Sequence, residues 1–237
     1  MIEVVEETAS TNADLVRRLG AGEGIAEGFW LRAVRQSAGR GRRGKEWSSP
    51  EGNLYTSTVI ALRADDPAAH TLAFVAALAV RDLIAALLPA DAAVQLKWPN
   101  DVLVAGAKIS GILLERCGDH VIVGIGINLV SAPELADRAT ASVLASGGSD
   151  VDAQKVLEKL ATAYARRLSQ WRSEGLSATL RAWQQHAYPQ GTPLKVVLDG
   201  EGEALGAFAG LDPDGALRLR LPDGSLRVIH AGDVSLV

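Results

Sequence analysis

The sequence predicts an α+β protein: a mixed β-sheet domain packed with helices over residues 1–188, then a small SH3-like β-barrel over 189–237. Three observations carry this. Segments rich in Val, Ile, Leu and Thr at 28–35, 53–62, 94–98, 102–104, 108–115 and 121–129 read as strands. Two stretches repeat apolar residues every three to four positions and read as helices. Past Tyr188-Pro-Gln-Gly191 the pattern changes to short strands alternating with turns. At 237 residues, 48% hydrophobic and 22% charged, the chain can bury a sizeable core.

In chain order, Ser10-Thr-Asn12 offers capping side chains ahead of a short helix that stops at Gly20. The same hydroxyls and amide could equally line a pocket. After the strands at 28–35 and 53–62, Asp66-Pro67 predicts a helix start, aspartate capping and proline at the first position. Leu72, Val75, Ala76, Ala79, Leu83, Ile84 and Leu87 then form one buried stripe. Pro99 breaks the strand at 94–98, which leaves Asn100 and Asp101 at a turn. The next two strands form a hairpin around Gly106. If its loop has an even number of residues, Asp101 and Lys108 share a face, with Gly111 bare beside them. Two further helices span about 152–173 and 176–186, with Tyr164, Leu168 and Trp171 as core. In the C-terminal region turns are expected at Asp199-Gly200, Asp212-Pro-Asp-Gly215, Pro222-Asp-Gly224 and Ala231-Gly-Asp233. Leu217, Leu219 and Leu221 alternate with Arg218 and Arg220, as a half-buried strand would.

Composition narrows the function. The net charge of −4 argues against general DNA or RNA binding. The N-terminus lacks a basic, then apolar, leader, and the apolar run 73–80 is too short for a bilayer. No membrane association and a cytoplasmic location are therefore expected. The one cysteine, Cys117, has no internal partner, and no Cys/His cluster suggests zinc.

Positive charge is instead concentrated in Gln36-Ser-Ala-Gly-Arg-Gly-Arg-Arg-Gly-Lys-Glu-Trp47. Glycine permits tight turns and arginine keeps its charge, so the stretch reads as a loop that wraps a phosphate. A Rossmann turn would have to open a helix, yet Glu46-Trp-Ser-Ser-Pro50 follows. A P-loop needs Ser or Thr where Glu46 stands. The loop is neither.

These segments together resemble the biotin protein ligases, almost end to end. The resemblance rests on Ser10-Thr-Asn12, Gly39-Arg-Gly-Arg-Arg-Gly44, Lys97-Trp-Pro-Asn-Asp101, Lys108-Ile-Ser-Gly-Ile-Leu-Leu-Glu115 and Gly124-Ile-Gly-Ile-Asn128. The terminal Gly-Leu-Asp-Pro-Asp-Gly and Ala-Gly-Asp-Val-Ser-Leu segments also fit. It implies the family's fold, akin to class II synthetases, and its two-step reaction. Biotin and ATP, with Mg2+, give biotinyl-5′-AMP and pyrophosphate. The biotinyl group then passes to a lysine of a biotin carboxyl carrier protein, acetyl-CoA carboxylase's being the natural acceptor.

By resemblance, Ser10, Thr11, Asn12, Gln36, Gly39, Arg40, Lys108 and Gly111 hold biotin. Arg40, Arg42, Arg43, Trp47, Lys97, Asn100, Asp101 and Asn128 fall to ATP and the adenylate, with Asp101 as a magnesium ligand. Lys108, Arg40, Arg42 and Asp101 take the catalytic roles. Asp101 either orients the incoming amine or accepts its proton, or else it serves magnesium or the backbone. The loop is expected to be mobile when empty and to fold around bound anion. The family's N-terminal helix-turn-helix regulator is not expected here, and both a monomer and a homodimer stay open. A lipoate or octanoate ligase of the same fold is the first alternative; a non-enzymatic anion-binding module is the second.

Overall fold

The computed structural model describes residues 1–149, 151–198 and 202–237. Its first 127 residues contribute seven strands: β1 (Ile2–Thr8), β2 (Trp30–Gln36), β3 (Leu54–Ala61), β4 (Val94–Lys97), β5 (Asp101–Val104), β6 (Ala107–Cys117) and β7 (His120–Ile127). They form one sheet in the order β1-β2-β3-β7-β6-β5-β4. Only β1 and β2 run parallel, so the sheet is mixed, as expected.

The two faces of this sheet differ. One carries α2 (Leu72–Leu87) and α3 (Ala153–Gln184), and with them most of the core. The other carries α1 (Thr11–Gly20) over a small cluster of Leu15, Ile25, Phe29, Leu31, Val59 and Ile122. Helix α1 begins where its sequence requires: Ser10 is extended, and its Oγ accepts the Ala13 N–H.

Helix α2 departs from expectation at its start. Asp66 caps nothing there; a single 3₁₀ turn at Ala69–Thr71 precedes the helix. The Asp66 carboxylate instead accepts the Arg63 N–H (3.0 Å) and the Arg172 guanidinium (3.0 Å). An ion pair with a guanidinium, both partners charged, holds the carboxylate away from the helix start. Nor is the burial a single stripe: 11 of the 16 residues are buried, because α2 is sandwiched between the sheet and α3. That explains why Ala69–Leu87 is apolar and long enough to cross a bilayer by composition alone, with mean hydropathy 1.7, while 67% of it lies inside the protein.

The two expected helices are present end to end as α3, which breaks between them at Gly175 (φ 77°, ψ 175°). Only glycine adopts that conformation cheaply. Tyr164, Leu168 and Trp171 are core as read: Tyr164 meets Trp30 edge-on at 5.6 Å, and the Trp171 indole donates to Thr71 Oγ1.

The remaining strands, β8 (Pro193–Leu198), β9 (Gly202–Leu211), β10 (Leu217–Arg220), β11 (Leu226–Ile229) and β12 (Asp233–Leu236), make an antiparallel sheet ordered β11-β10-β9-β8-β12. It fits an SH3-like module. The turn read at Asp199-Gly200 lies outside the described residues. Leu217 and Leu219 point inward and Arg220 outward, as the alternation required. This module shares the main core: the Trp98 indole donates to Gly215 O (3.0 Å), and Leu194, Val196, Phe208, Leu217 and Leu219 belong to the same buried cluster as α2 and α3. Gly215 is obligatory there, since a Cβ would meet the Phe74 ring at 2.6 Å.

Arg172 ties α3 to Glu27, Asp66 and the Ala61 carbonyl while only 13% exposed. Arg172→Ala should therefore cost roughly 2–3 kcal/mol in a denaturant titration, from charged hydrogen bonds left unmade. Removing the exposed Arg166 should cost under about 0.5 kcal/mol.

Candidate active site

The site lies on the α1 face of the sheet, where three glycines leave a bare floor. Gly111 of β6 pairs with Gly126 of β7, and Gly124 lies two residues along on the same face. Each gap is used. A Cβ on Gly124 would overlap the Asn12 amide, and one on Gly126 would meet the Trp47 indole at 2.5 Å. A Cβ on Gly111 would meet Trp47 at 2.9 Å and Lys108 Nζ at 3.2 Å. Above this floor opens a cavity of about 940 Å³, ample for a small acid and a nucleotide together.

One wall is an ion cluster. The β5–β6 hairpin turns through two residues, Ala105 and Gly106, both at positive φ. The even loop sets Asp101 and Lys108 on one face, and their charged atoms meet at 2.6 Å. Register slips by one between β5 and β6, leaving Ile109 as an extra residue. Lys108 and Gly111, three apart, consequently face the same side. Lys97 approaches the other Asp101 oxygen at 3.1 Å. Burial pushes the Asp101 carboxyl up, but Lys108 and then Lys97 outweigh it and hold it below its usual value.

The opposite end is neutral and polar. Gln36 Oε1 accepts the Thr11 N–H (2.9 Å), and its Nε2 donates to Ser49 Oγ. Ser57 Oγ lies 2.7 Å from Thr11 Oγ1 and donates to Asn12 Oδ1. Asn12 Nδ2 donates to Glu115. Ser10, Thr11, Asn12 and Gln36 line the cavity, whereas Ser57 and Glu115 stand behind them.

The arginine loop covers the cavity. Residues 39–47 fold back on themselves through Trp47 N–H to Gly39 O (2.9 Å) and Gly41 N–H to Lys45 O (2.7 Å). Arg43 (φ 58°) and Gly44 (φ 72°) make the turn. Arg40 is exposed at the mouth, and Arg42 donates to Asn100 Oδ1 (3.2 Å). Asn100 in turn donates to Ile112 O, which seats it against β6. Trp47 does not merely back the loop: its ring lies on the glycine floor, with Lys108 Nζ 5.4 Å from the ring centre. Asn128 donates to Ala141 O, leaving its Oδ1 buried without a partner, as is Trp47 Nε1. Both residues line the cavity, though these two atoms are themselves buried, Trp47 Nε1 against the Gly126 backbone.

Thus the structure gathers 14 of the 15 sequence-derived site residues around one cavity. Gly39 is the exception. It lies behind the loop, where a Cβ would meet Trp47 O at 2.5 Å and Ser49 Oγ at 2.6 Å, so its need for glycine comes from packing. The C-terminal module adds what the sequence reading missed. Asp233 accepts Lys45 at 2.9 Å and faces Arg43 at 3.5 Å, and Val234 O accepts Lys97. Burial raises the Asp233 carboxyl, and Lys45 with the arginines brings it down past its usual value. Ala231-Gly-Asp233 had signalled only a turn, and a turn's spacing carries no information about which loop it will meet.

A protein-held magnesium does not suit this donor set. Both Asp101 oxygens already accept ammonium groups, and no cluster of three acidic, His or Cys side chains occurs among the described residues.

A half-buried lysine pair on one carboxylate, arginines over the opening and a neutral polar end give one cavity the means to take an anionic ligand with a polar head. The chain belongs to the biotin/lipoate A/B protein ligase family, whose model matches residues 6–128; the biotin protein ligase C-terminal domain matches 193–237. It is 39% identical to a biotin–[acetyl-CoA-carboxylase] ligase of Paracoccus denitrificans, over 98% of both chains. A Mycobacterium tuberculosis protein of the same name is 36% identical over 98% of this chain and 88% of its own length. The biotin protein ligase of Aquifex aeolicus, solved with biotin and ATP, superposes with TM-score 0.83 at 28% identity, covering 100% of this chain and 98% of the other.

Asp101 should reveal itself in pH-dependent stability. Its carboxyl is depressed in the folded state, so its contribution is complete above the unfolded value near pH 4 and fades as pH falls through the folded one. Asp101→Asn, which leaves two half-buried ammonium groups without their counter-ion, should cost roughly 1–3 kcal/mol at pH 7. In denaturant titrations that deficit should hold down to about pH 5 and shrink below pH 4.

Proposed function

We propose that this chain is an ATP-dependent biotin protein ligase. It activates biotin to biotinyl-5′-AMP, releases pyrophosphate, and transfers the biotinyl group to a lysine of a biotin carboxyl carrier protein. The observation that carries the reading is the Lys97–Asp101–Lys108 cluster, set beside the glycine floor and beneath the arginine loop. Acetyl-CoA carboxylase's carrier is the natural acceptor, given the names of the relatives. We assign the cytoplasm as the compartment, where ATP and carboxylases meet, and divide the chain at 188/189 into catalytic and SH3-like domains.

In this reading the ureido ring lies among Ser10, Thr11, Asn12 and Gln36, and the biotin carboxylate meets Lys108. One carboxylate oxygen attacks the α-phosphorus; the bond to the bridging oxygen breaks and pyrophosphate leaves. Lys108 neutralises the approaching anions, while Arg40, Arg42 and Arg43 take the charge on the phosphates. ATP arrives as its magnesium complex, the ion carried by the phosphates and water as part of the substrate. Asn128 and the Trp47 ring border the nucleotide as residues of the cavity wall. In the second step a lysine amine attacks the anhydride carbonyl, AMP departs and the amine loses its proton. Asp101, ionised and clamped by two lysines, is a weak base, so we give it the orienting role. Closure of residues 39–46 keeps water from the anhydride.

Pyrophosphate release from MgATP decides the reading. Release with biotin, and none with lipoate or octanoate, is expected; release only with the latter would move the enzyme to another substrate. Lys108→Ala should lower kcat/KM for adenylation by about 10²–10³-fold. Hydrogen exchange over residues 39–46 should slow on addition of biotin and ATP; equal protection in the free protein would remove the lid role.

A further inference from the structure

The polar chain behind the cavity has a direction, and one side chain sets it. Ser57 Oγ has a single proton, which goes to Asn12 Oδ1 at 2.6 Å. The 2.7 Å contact between Thr11 and Ser57 is therefore made by the Thr11 proton. That proton cannot also serve Gln36 Oε1, which is 3.2 Å from Thr11 Oγ1 and is already satisfied by the Thr11 N–H. Asn12 can accept through Oδ1 only while its Nδ2 points the other way, and there it meets Glu115 Oε2 at 2.7 Å. A carboxylate accepts; it does not donate. Protons thus run one way, Thr11 to Ser57 to Asn12 to Glu115. Toward the cavity, Thr11 Oγ1 is left with lone pairs alone.

We propose that Glu115 is the positioning residue that makes this end of the cavity an acceptor for ring N–H groups, acting through Asn12, Ser57 and Thr11. Glu115 does not line the cavity, so it cannot act by touching the ligand. It stands on the glycine face of β6, four residues beyond Gly111, and Asn12 reaches it only because Gly124 has no side chain. The bare floor and the carboxylate together orient the Asn12 amide, which is 3% exposed. The inference rests on the ureido ring lying at Thr11.

Calorimetric Kd values for biotin, with steady-state kcat and KM for ATP, test it on four variants of the full chain. Thr11→Val tests the subsite itself and should weaken biotin about tenfold, as one lost hydrogen bond does. Glu115→Ala should weaken biotin about tenfold through loss of orientation, with kcat and the KM for ATP within about twofold. Glu115→Gln, whose amide oxygen can still accept from Asn12, should restore binding to within about threefold. Glu115→Lys, which only donates, reverses the chain and should weaken biotin at least as much as alanine does. If Thr11→Val is impaired while Glu115→Ala or Glu115→Lys binds normally, the positioning role is wrong and the subsite stands. A parallel loss of kcat and ATP affinity in Glu115→Ala would make Glu115 a packing residue and overturn the proposal equally. Normal binding by Thr11→Val would remove the subsite, and the inference with it.

Discussion

A single buried carboxylate, Asp101, is the constraint on which the rest of the site depends. Two half-buried ammonium groups without it would repel each other at the cavity wall, and burial alone would push the carboxylate toward its neutral form. Paired, the three hold Lys108 at the edge of the glycine floor. The two-residue hairpin turn sets Asp101 and Lys108 on one face, and the one-residue slip beyond it brings Gly111 to the same side. The cluster is stable only as a set, and its excess positive charge faces the cavity.

Around it, the structure replaces side chains with space. Gly111, Gly124 and Gly126 weaken a central sheet, a cost of up to about 1 kcal/mol each in strand terms. In return Asn12 and Trp47 lie directly on the backbone and form the cavity's end and cover. The loop above uses the same residue type for another reason: Gly44 at positive φ lets residues 39–47 double back and aim their cations inward.

The C-terminal module joins these parts. Its own core merges with that of α2 and α3, which leaves it little freedom to move away. From that fixed position Asp233 meets two cations of the loop, and the backbone of β12 receives Lys97. A small sheet remote in sequence thereby becomes part of the site's electrostatics, and the shared core is what makes its carboxylate a reliable partner.

Local chemistry was legible because it acts over a few residues. The helix cap at Ser10, the Pro99 break, the Ala105-Gly106 hairpin and the inward alternation of Leu217 and Leu219 all stand where spacing put them. The arginine loop was legible as a cluster of cations by residue type alone, and it lies over the cavity. Expectation failed at Asp66, where a capping pattern lost to Arg172, 106 residues away in the chain. It was blind to Asp233, Ser57 and Glu115, whose partners lie in other elements. The sequence by itself determined most of the strands, the courses of the helices and 14 of the residues that line the cavity, but not the first strand, β1. Only the tertiary structure decided which carboxylate faces which cation, what fills each glycine's space, and which way the protons run behind Thr11. Hydrogen bonds and ion pairs are settled by distance in space, and a one-dimensional pattern does not contain it.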